Sequence, residues 1–171
     1  MNKVSFENQL AYSSFFENIP GELKDLFAEC DLLEVLSSLP SFLSSLSLGK
    51  IKSEVPKGTH IENPETVYIG SNVLIEPSAY IKGPCWISDH CQVRHGAYIR
   101  ENFYAGPYSV IGHDTELKNS IFLTRANAAH FAYVGDSILG NSVNLGAGVK
   151  IANLKLNHAS IEVDWEGAKI K

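Results

Sequence analysis

The stretch that decides the fold spans residues 69–117 and reads IGSNVL IEPSAY IKGPCW ISDHCQ VRHGAY IRENFY AGPYSV IGHDTE L. Every sixth residue in it is apolar: Ile69, Ile75, Ile81, Ile87, Val93, Ile99, Ala105, Ile111 and Leu117. This period is neither the 3.6 of a helix nor the 2 of an ordinary strand. It is typical of a chain that coils in short straight segments with a tight corner after each. The stretch therefore predicts a parallel β-helix.

A second set of positions supports this interpretation. Four residues after most of the aliphatic positions comes a small or β-branched residue: Val73, Ala79, Cys85, Cys91, Ala97, Ser109 and Thr115. Phe103 is the one large exception. If three hexads form a coil, residues 18 apart stack and about six coils fit the chain. The register breaks between Leu117 and Leu139 and resumes with Leu145 and Ile151, which suggests that something besides the core sets the spacing there.

The first 50 residues have a different pattern. The helical spacing of Leu23, Leu26, Phe27, Cys30 and Leu33 predicts one short helix. Pro40 predicts the start of a second helix, which we expect to end at Gly49. We expect these helices to cover the first coil, because an open end exposes unpaired strand edges. The predicted domains are a helical cap (1–50), a connector (51–65) and the β-helix (66–171), with C-terminal coils of the β-helix expected to be missing.

Composition and charge narrow the function classes. The chain is 44% hydrophobic and 19% charged, with a formal net charge of -5. Nucleic acids and anionic membranes require clustered Lys and Arg, so neither is expected as a partner. The N-terminal residues lack a signal-peptide pattern, so we expect a cytoplasmic protein. Cys85 and Cys91 occupy equivalent hexad positions, which favours packing over a disulfide or a metal site.

One motif identifies the chain as similar to a known family. Residues 130–148 read HFAYVGDSILGNSVNLGAG, and residues 152–155 read ANLK. The motif resembles hexapeptide-repeat acyltransferases, above all the acetyltransferase domain of the bifunctional bacterial UDP-N-acetylglucosamine pyrophosphorylase/glucosamine-1-phosphate N-acetyltransferase. It also resembles shorter nucleotidyltransferase-like relatives. The resemblance implies a left-handed coil, a homotrimer, and acetyl-CoA-dependent N-acetylation of an amino-sugar phosphate in UDP-N-acetylglucosamine synthesis.

The resemblance also implies a role for individual residues. The general base matches His130. The positions that bind the sugar phosphate and the sugar match Arg100, Lys118, Tyr133 and Asn144. The positions that contact acetyl-CoA, the co-substrate, match Ala147, Asn153 and Leu154.

Elementary chemistry is consistent with these roles. Acetyl transfer to an amine needs a base near neutral pKa, which histidine provides. Backbone N–H groups of the turn Gly146–Gly148 are candidate donors to the oxyanion. Because acetyl-CoA carries an activated thioester, no metal is expected. We expect Gly135, Gly140, Gly146 and Gly148 to serve first as corner glycines with positive φ.

The sequence is compatible with two other functions. A sugar-nucleotide-binding or structural trimer that lacks turnover is the main alternative. A zinc carbonic anhydrase-like enzyme is a weaker one, suggested by the spacing of His90, His95 and His113. Uridyltransferase activity is not expected, because the first 50 residues contain no Gly-rich nucleotide-binding segment.

Overall fold

The protein is a coil of short parallel strands with two helices packed on its side. A computed structural model describes residues 11–152, 154–159, 161–165 and 168–170. The α-helices are α1 (Lys24–Glu29) and α2 (Val35–Ser45), and short 3₁₀ helices span Tyr12–Ser14, Gly21–Leu23 and Pro64–Thr66. The strands are β1 (Lys50–Ile51), β2 (His60–Glu62), β3 (Val67–Ile69), β4 (Leu74–Ile75), β5 (Tyr80–Lys82), β6 (Cys85–Ile87), β7 (Gln92–Val93), β8 (Tyr98–Ile99), β9 (Phe103–Ala105), β10 (Val110–His113), β11 (Glu116–Phe122), β12 (Asn127–His130), β13 (Tyr133–Leu139), β14 (Asn144–Leu145), β15 (Lys150–Ile151), β16 (Val163–Trp165) and β17 (Ala168–Ile170).

Strands β1 to β15 form three faces, which the chain visits in turn. Face 1 contains β1, β3, β6, β9 and the second halves of β11 and β13. Face 2 contains β4, β7, β10, β12 and β14. Face 3 contains β2, β5, β8, the first halves of β11 and β13, and β15. All pairings within the three faces are parallel, and the predicted parallel β-helix is confirmed.

The six-residue pattern places the core as predicted. The aliphatic positions of the repeat pair with one another from coil to coil, as Ile75 with Val93 and Val93 with Ile111. These side chains and the small residues four positions later form one buried cluster. Burial raises the pKa of the Cys85 and Cys91 thiols to about 12, which keeps both protonated and unreactive at neutral pH.

The exception at Phe103 is compensated two residues later, at the start of the next hexad. Phe103 is fully buried where its neighbours in the pattern are small, and Ala105 stands where they are large. The Phe103 ring contacts Phe122 of the next coil edge to face, with ring centroids 5.2 Å apart. Large and small residues have therefore exchanged places, and the total core volume of the coil is kept.

The register break is a shortened corner. On face 1, Ile87 pairs with Ala105, a full three hexads further along the chain, whereas Ala105 pairs with Phe122, which falls one position short of three hexads. Leu117 likewise pairs with Val134, again one position short. Phe122 and Val134 stay buried, so the core continues through the break. One residue is missing between faces 3 and 1, and β11 and β13 consequently run through that corner as seven-residue strands.

The two helices lie on the side of the coil. Their apolar side chains form a second buried cluster with Tyr104, Ile121 and Leu123 of face 1. The Tyr104 hydroxyl, 3.3 Å from Glu22 Oε2, donates a hydrogen bond to that carboxylate. The helices therefore cover the outside of face 1 along β9, β11 and β13, and the expectation that they cover the first coil is wrong.

The second helix also differs from its prediction. Pro40 lies inside α2, which begins at Val35 and ends at Ser45 rather than at Gly49. The helix tolerates this proline because its buried residues, Val35, Leu39 and Leu43, hold it against face 1.

Coil pairing begins earlier than the predicted domain boundary. β1 pairs with β3, and β2 pairs with β5, so parts of the segment 51–65 already belong to the ladders. The division into cap, connector and β-helix stays a prediction for the rest of its boundaries. In the described part of the chain, no helix has both the length and the apolar character needed to cross a bilayer.

Candidate functional site

Most of the predicted site residues lie on face 3 or at the corner between faces 2 and 3 in the later coils. Register places Arg100, which follows β8, directly below Lys118 of β11, and Lys118 below Gly135 of β13. The neighbouring column on face 3 holds Tyr98, Glu116, Tyr133 and Lys150 on successive strands. Adjacent strands lie about 4.8 Å apart. Arg100, Lys118 and Tyr133 therefore lie together on one outer surface.

Both cations of this surface are paired with carboxylates. Arg100 Nη1 lies 3.1 Å from Glu116 Oε1, and this hydrogen bond raises the pKa of Arg100. Lys118 Nζ lies 3.9 Å from Asp136 Oδ2, a looser pair. Both pairs are about one-third exposed, so each is weak and open to competition from a ligand. A phosphate bound here has to compete with Glu116 and Asp136.

The Tyr133 ring lies across Gly135. A Cβ atom at residue 135 would come within 2.8 Å of the Tyr133 hydroxyl oxygen. Gly135 does not have a positive φ, so the expectation for this glycine is wrong, as it is for Gly140 and Gly146; of the four, only Gly148 has one (77°). A side chain at residue 135 would therefore push the Tyr133 ring out of its present position.

His130 ends β12 at the corner and is exposed. It is the uppermost of three stacked histidines at equivalent positions, above His113 and His95. The His113 and His130 ring centroids lie 5.5 Å apart, edge to face. The exposed His130 imidazole is therefore open to solvent, three residues before Tyr133.

The turn above His130 contains the candidate oxyanion donors. The Gly148 N–H donates a 3.1 Å hydrogen bond to the His130 carbonyl oxygen. Because the Gly148 N–H group is already used in this hydrogen bond, the N–H groups of Gly146 and Ala147 remain as the candidate oxyanion donors. The same hydrogen bond also fixes the turn one strand above the candidate base.

The remaining predicted residues are less close together. Asn144 is exposed on face 2, where it pairs with Asn127, and therefore lies on the other side of the corner from Tyr133. Leu154 lies beyond the last coil strand and is 75% exposed. Asn153 lies outside the described residues.

Three residues near this surface were not predicted from the sequence. Glu116 lies between Tyr98 and Tyr133 in the same column, and Lys150 follows Tyr133 there. Phe131, beside His130, is 59% exposed with a left-handed backbone (φ 51°). The spacing in the sequence could have predicted Glu116 and Lys150, because one shortened coil separates each of them from Tyr133.

The histidines do not form a metal centre in the described part of the chain. No group of three His, Cys, Asp or Glu side chains there has an arrangement that could hold a metal ion. The stacked rings of His95 and His113 are parallel and 6.2 Å apart, whereas a shared ion needs nitrogens that converge at about 2.0–2.1 Å. The zinc alternative gains no support from this geometry.

Comparison with known proteins agrees with the motif. The family model of the GMPPB C-terminal domain matches residues 81–166, which is half of the chain. This match begins in β5 and includes every predicted site residue.

Curated relatives carry bifunctional sugar-phosphate names. A bifunctional sugar-1-phosphate nucleotidylyltransferase/acetyltransferase from Sulfurisphaera tokodaii is 34% identical over 112 residues, covering 62% of this chain and 28% of that protein. The bifunctional protein GlmU of Methanococcus vannielii is 30% identical over 128 residues, covering 71% of this chain and 30% of that protein. GlmU of a Synechococcus strain is 31% identical over 122 residues, covering 52% of this chain and 20% of that protein. The chain spans less than a third of each relative's length. The predicted family resemblance is confirmed.

Proposed function

Because the chain belongs to the GMPPB C-terminal domain family, we propose that it is an acetyl-CoA-dependent N-acetyltransferase acting on an amino-sugar phosphate of the glucosamine-1-phosphate type. The observation that carries the proposal is the arrangement on consecutive strands of Arg100, Lys118 and Tyr133 beside the exposed His130. The names of the bifunctional relatives support the same chemistry.

The acceptor binds by its phosphate and its ring. Arg100 and Lys118 donate to the phosphate oxygens, and charge-assisted bonds of this kind are stronger than neutral ones. Tyr133, one strand above Lys118, packs against the sugar or donates to one of its hydroxyls. The amine of the sugar then lies toward His130, and Asn144 approaches it from face 2.

The reaction needs one base and an oxyanion site. His130 removes the proton that frees the amine lone pair, and the amine nitrogen attacks the thioester carbonyl carbon. A C–N bond forms, the carbonyl electrons move to oxygen, and the N–H groups of Gly146 and Ala147 stabilise that charge. The carbonyl double bond then re-forms, the C–S bond breaks, and the coenzyme A thiolate leaves and takes the proton from His130. The second proton of the amine nitrogen passes to solvent, which leaves the neutral amide. No metal or covalent enzyme intermediate takes part in this sequence.

The donor lies on the upper side of His130. Ala147, directly above the histidine, and the exposed Leu154 are the described contacts for acetyl-CoA in this proposal. Acceptor and donor therefore approach His130 from opposite directions along the coil axis. A homotrimer in the cytoplasm is part of the same proposal.

A thiol-release assay with acetyl-CoA and glucosamine-1-phosphate tests the function. We expect the wild-type chain to release coenzyme A, and His130→Ala to lower the rate by roughly 10²- to 10⁴-fold, the usual contribution of a general base. Since His130 is exposed, the thermal unfolding temperature should not change.

His95→Ala is the matched control. His95 occupies the same corner two coils below, is also exposed and stacks on His113, but lies two strands away from the candidate base. Equal loss of activity in both variants would contradict a specific role for His130. No thiol release by the wild-type chain would overturn the enzymatic proposal.

The second candidate is a non-catalytic trimer that binds a sugar nucleotide. Its support is the name of the Sulfurisphaera tokodaii relative, a sugar-1-phosphate nucleotidylyltransferase/acetyltransferase, since nucleotidylyl transfer to a sugar 1-phosphate makes a sugar nucleotide. Binding of UDP-N-acetylglucosamine in calorimetry, without thiol release, would favour this candidate.

A further inference from the structure

Lys150 is a cation of the upper surface that the proposed mechanism does not use. It lies in β15, directly above Tyr133, and is exposed. Its ammonium group bends back toward the corner, where Nζ donates a 2.9 Å hydrogen bond to the Phe131 carbonyl oxygen. The same Nζ lies 4.3 Å from the centre of the Phe131 ring. Lys150 is thus held beside the residue that follows His130.

Lys150 differs from the other Lys and Arg side chains on face 3, which are paired with carboxylates. Arg100, Lys118 and Lys82 each lie within 4.0 Å of a carboxylate. Among the residues that the structure describes, Lys150 makes no ion pair. An ammonium group has three donors, and the Phe131 carbonyl accepts from one of them. A carbonyl and a ring face orient the ammonium without neutralising it.

The position of Lys150 separates it from the acceptor phosphate. Arg100, Lys118, Tyr133 and Lys150 lie on four successive strands of face 3, so Lys150 is roughly 14 Å from the Arg100 strand. The phosphate of a sugar at Tyr133 cannot reach both ends of this span. The Tyr133 strand therefore divides the site into a lower cationic region and an upper one.

We propose that Lys150, oriented by Phe131, binds a phosphate group of the acyl donor. This inference rests on the proposed function and adds a residue to it: Lys150 provides a cation one strand above Tyr133, on the side of His130 from which the donor approaches. Phe131, with its exposed ring and its left-handed backbone, serves as the platform that directs the ammonium.

Binding of coenzyme A, measured by calorimetry, tests the inference separately from turnover. We expect the wild-type chain to bind coenzyme A and Lys150→Gln to bind it roughly 10- to 100-fold more weakly, the usual effect of losing a charged hydrogen bond. Lys150→Arg should restore much of the affinity. Lys57→Gln, at an exposed lysine of the first coil, is the matched control and should leave binding unchanged.

Kinetics with two donors identify the group that Lys150 recognises. In Lys150→Gln the KM for acetyl-CoA should rise, while the KM for acetyl-pantetheine, which has no phosphate, should not change. Equal effects on both donors would overturn phosphate recognition and indicate a structural role. A rise confined to the KM for glucosamine-1-phosphate would assign Lys150 to the acceptor and overturn the proposal.

The two proposals fail in different ways. If the wild-type chain binds coenzyme A and Lys150→Gln binds it equally well, the role of Lys150 is wrong and the proposed acetyltransferase is unaffected. If the wild-type chain does not bind coenzyme A, both proposals are wrong.

Discussion

The early and late coils share one core but differ at a single corner. In the early coils, aliphatic positions such as Ile69 and Ile87 pair across three full hexads, and strands of two to four residues end at each corner. In the late coils the paired positions are closer in the sequence by one residue, and β11 and β13 continue through the corner between faces 3 and 1. The candidate base and its neighbouring tyrosine lie in these shortened coils.

The difference shows how a repeat acquires a site without losing its core. The inward positions stay buried through the shortened corner, since Phe122 and Val134 continue the core columns. The outward positions change more: Asn119 and Asp136, both with left-handed backbones, stack at the corner, where the Asn119 amide donates a 2.8 Å hydrogen bond to Asp136. Asp136 also pairs with Lys118. The shortened corner therefore connects directly to a candidate phosphate-binding residue.

The largest expected effect is a loss of stability on replacement of Phe103, where the chain departs from the six-residue repeat. Phe103→Ala removes a fully buried ring that the small Ala105 cannot replace, and should lower the free energy of unfolding by about 3–5 kcal/mol. Urea denaturation measures this loss. A loss of unfolding free energy below about 1 kcal/mol would show that Phe103 does not fill the space left by Ala105. Ala97→Gly in the preceding coil is the control, because it changes a core residue that is already small.

Lys118 and Lys82 test whether the late coils alone bind the acceptor. Both lie in the same column of face 3 and both pair with carboxylates. Lys118→Ala should raise the KM for glucosamine-1-phosphate roughly 10- to 100-fold, because a charged hydrogen bond to phosphate is lost. Lys82→Ala should leave that KM unchanged. Similar steady-state effects from both variants would remove the functional distinction between the coils.

The smallest expected effect is a change in stability at the shortened corner between faces 3 and 1. Asn119 and Asn102 occupy equivalent left-handed positions in successive coils, with φ of 45° and 62°. Replacement by Ala strains both, but only Asn119→Ala also removes the bond to Asp136. Asn119→Ala should be the more destabilising by about 1 kcal/mol, measured by thermal or urea unfolding. Equal losses would mean that the Asn119–Asp136 bond does not stabilise the late coils.

The sequence pattern predicted the core more completely than the surface. A six-residue period names the inward side chains directly, because burial of one aliphatic residue per segment is what makes the coil stable. The helices were predicted in type but not in position. The apolar stripe of the helices predicts that they pack against another part of the protein. They pack on face 1 because the apolar side chains of Tyr104, Ile121 and Leu123 point outward there, and no position of the repeat predicts these side chains.

Resemblance predicted individual site residues, whereas strand register determined their arrangement. The motif suggested His130 and Tyr133, but their relation to Arg100 depends on strand pairing across two coils. The pairings of Arg100 with Glu116 and of Lys118 with Asp136 also join residues that are distant in sequence. Such contacts follow from which residues stack, and a shift of one residue in the register would change every one of them.

The amino-acid sequence by itself determined the coiled architecture, its core residues and the place where the repeat shortens, because hydrophobic periodicity is local and repeats along the chain. The tertiary structure alone decided where the helices pack, which charges neutralise one another and, among the described residues, which lysine beside the candidate base has no carboxylate partner. These features arise from stacking one coil on the next, since only the stack brings side chains a whole coil apart in the sequence into contact.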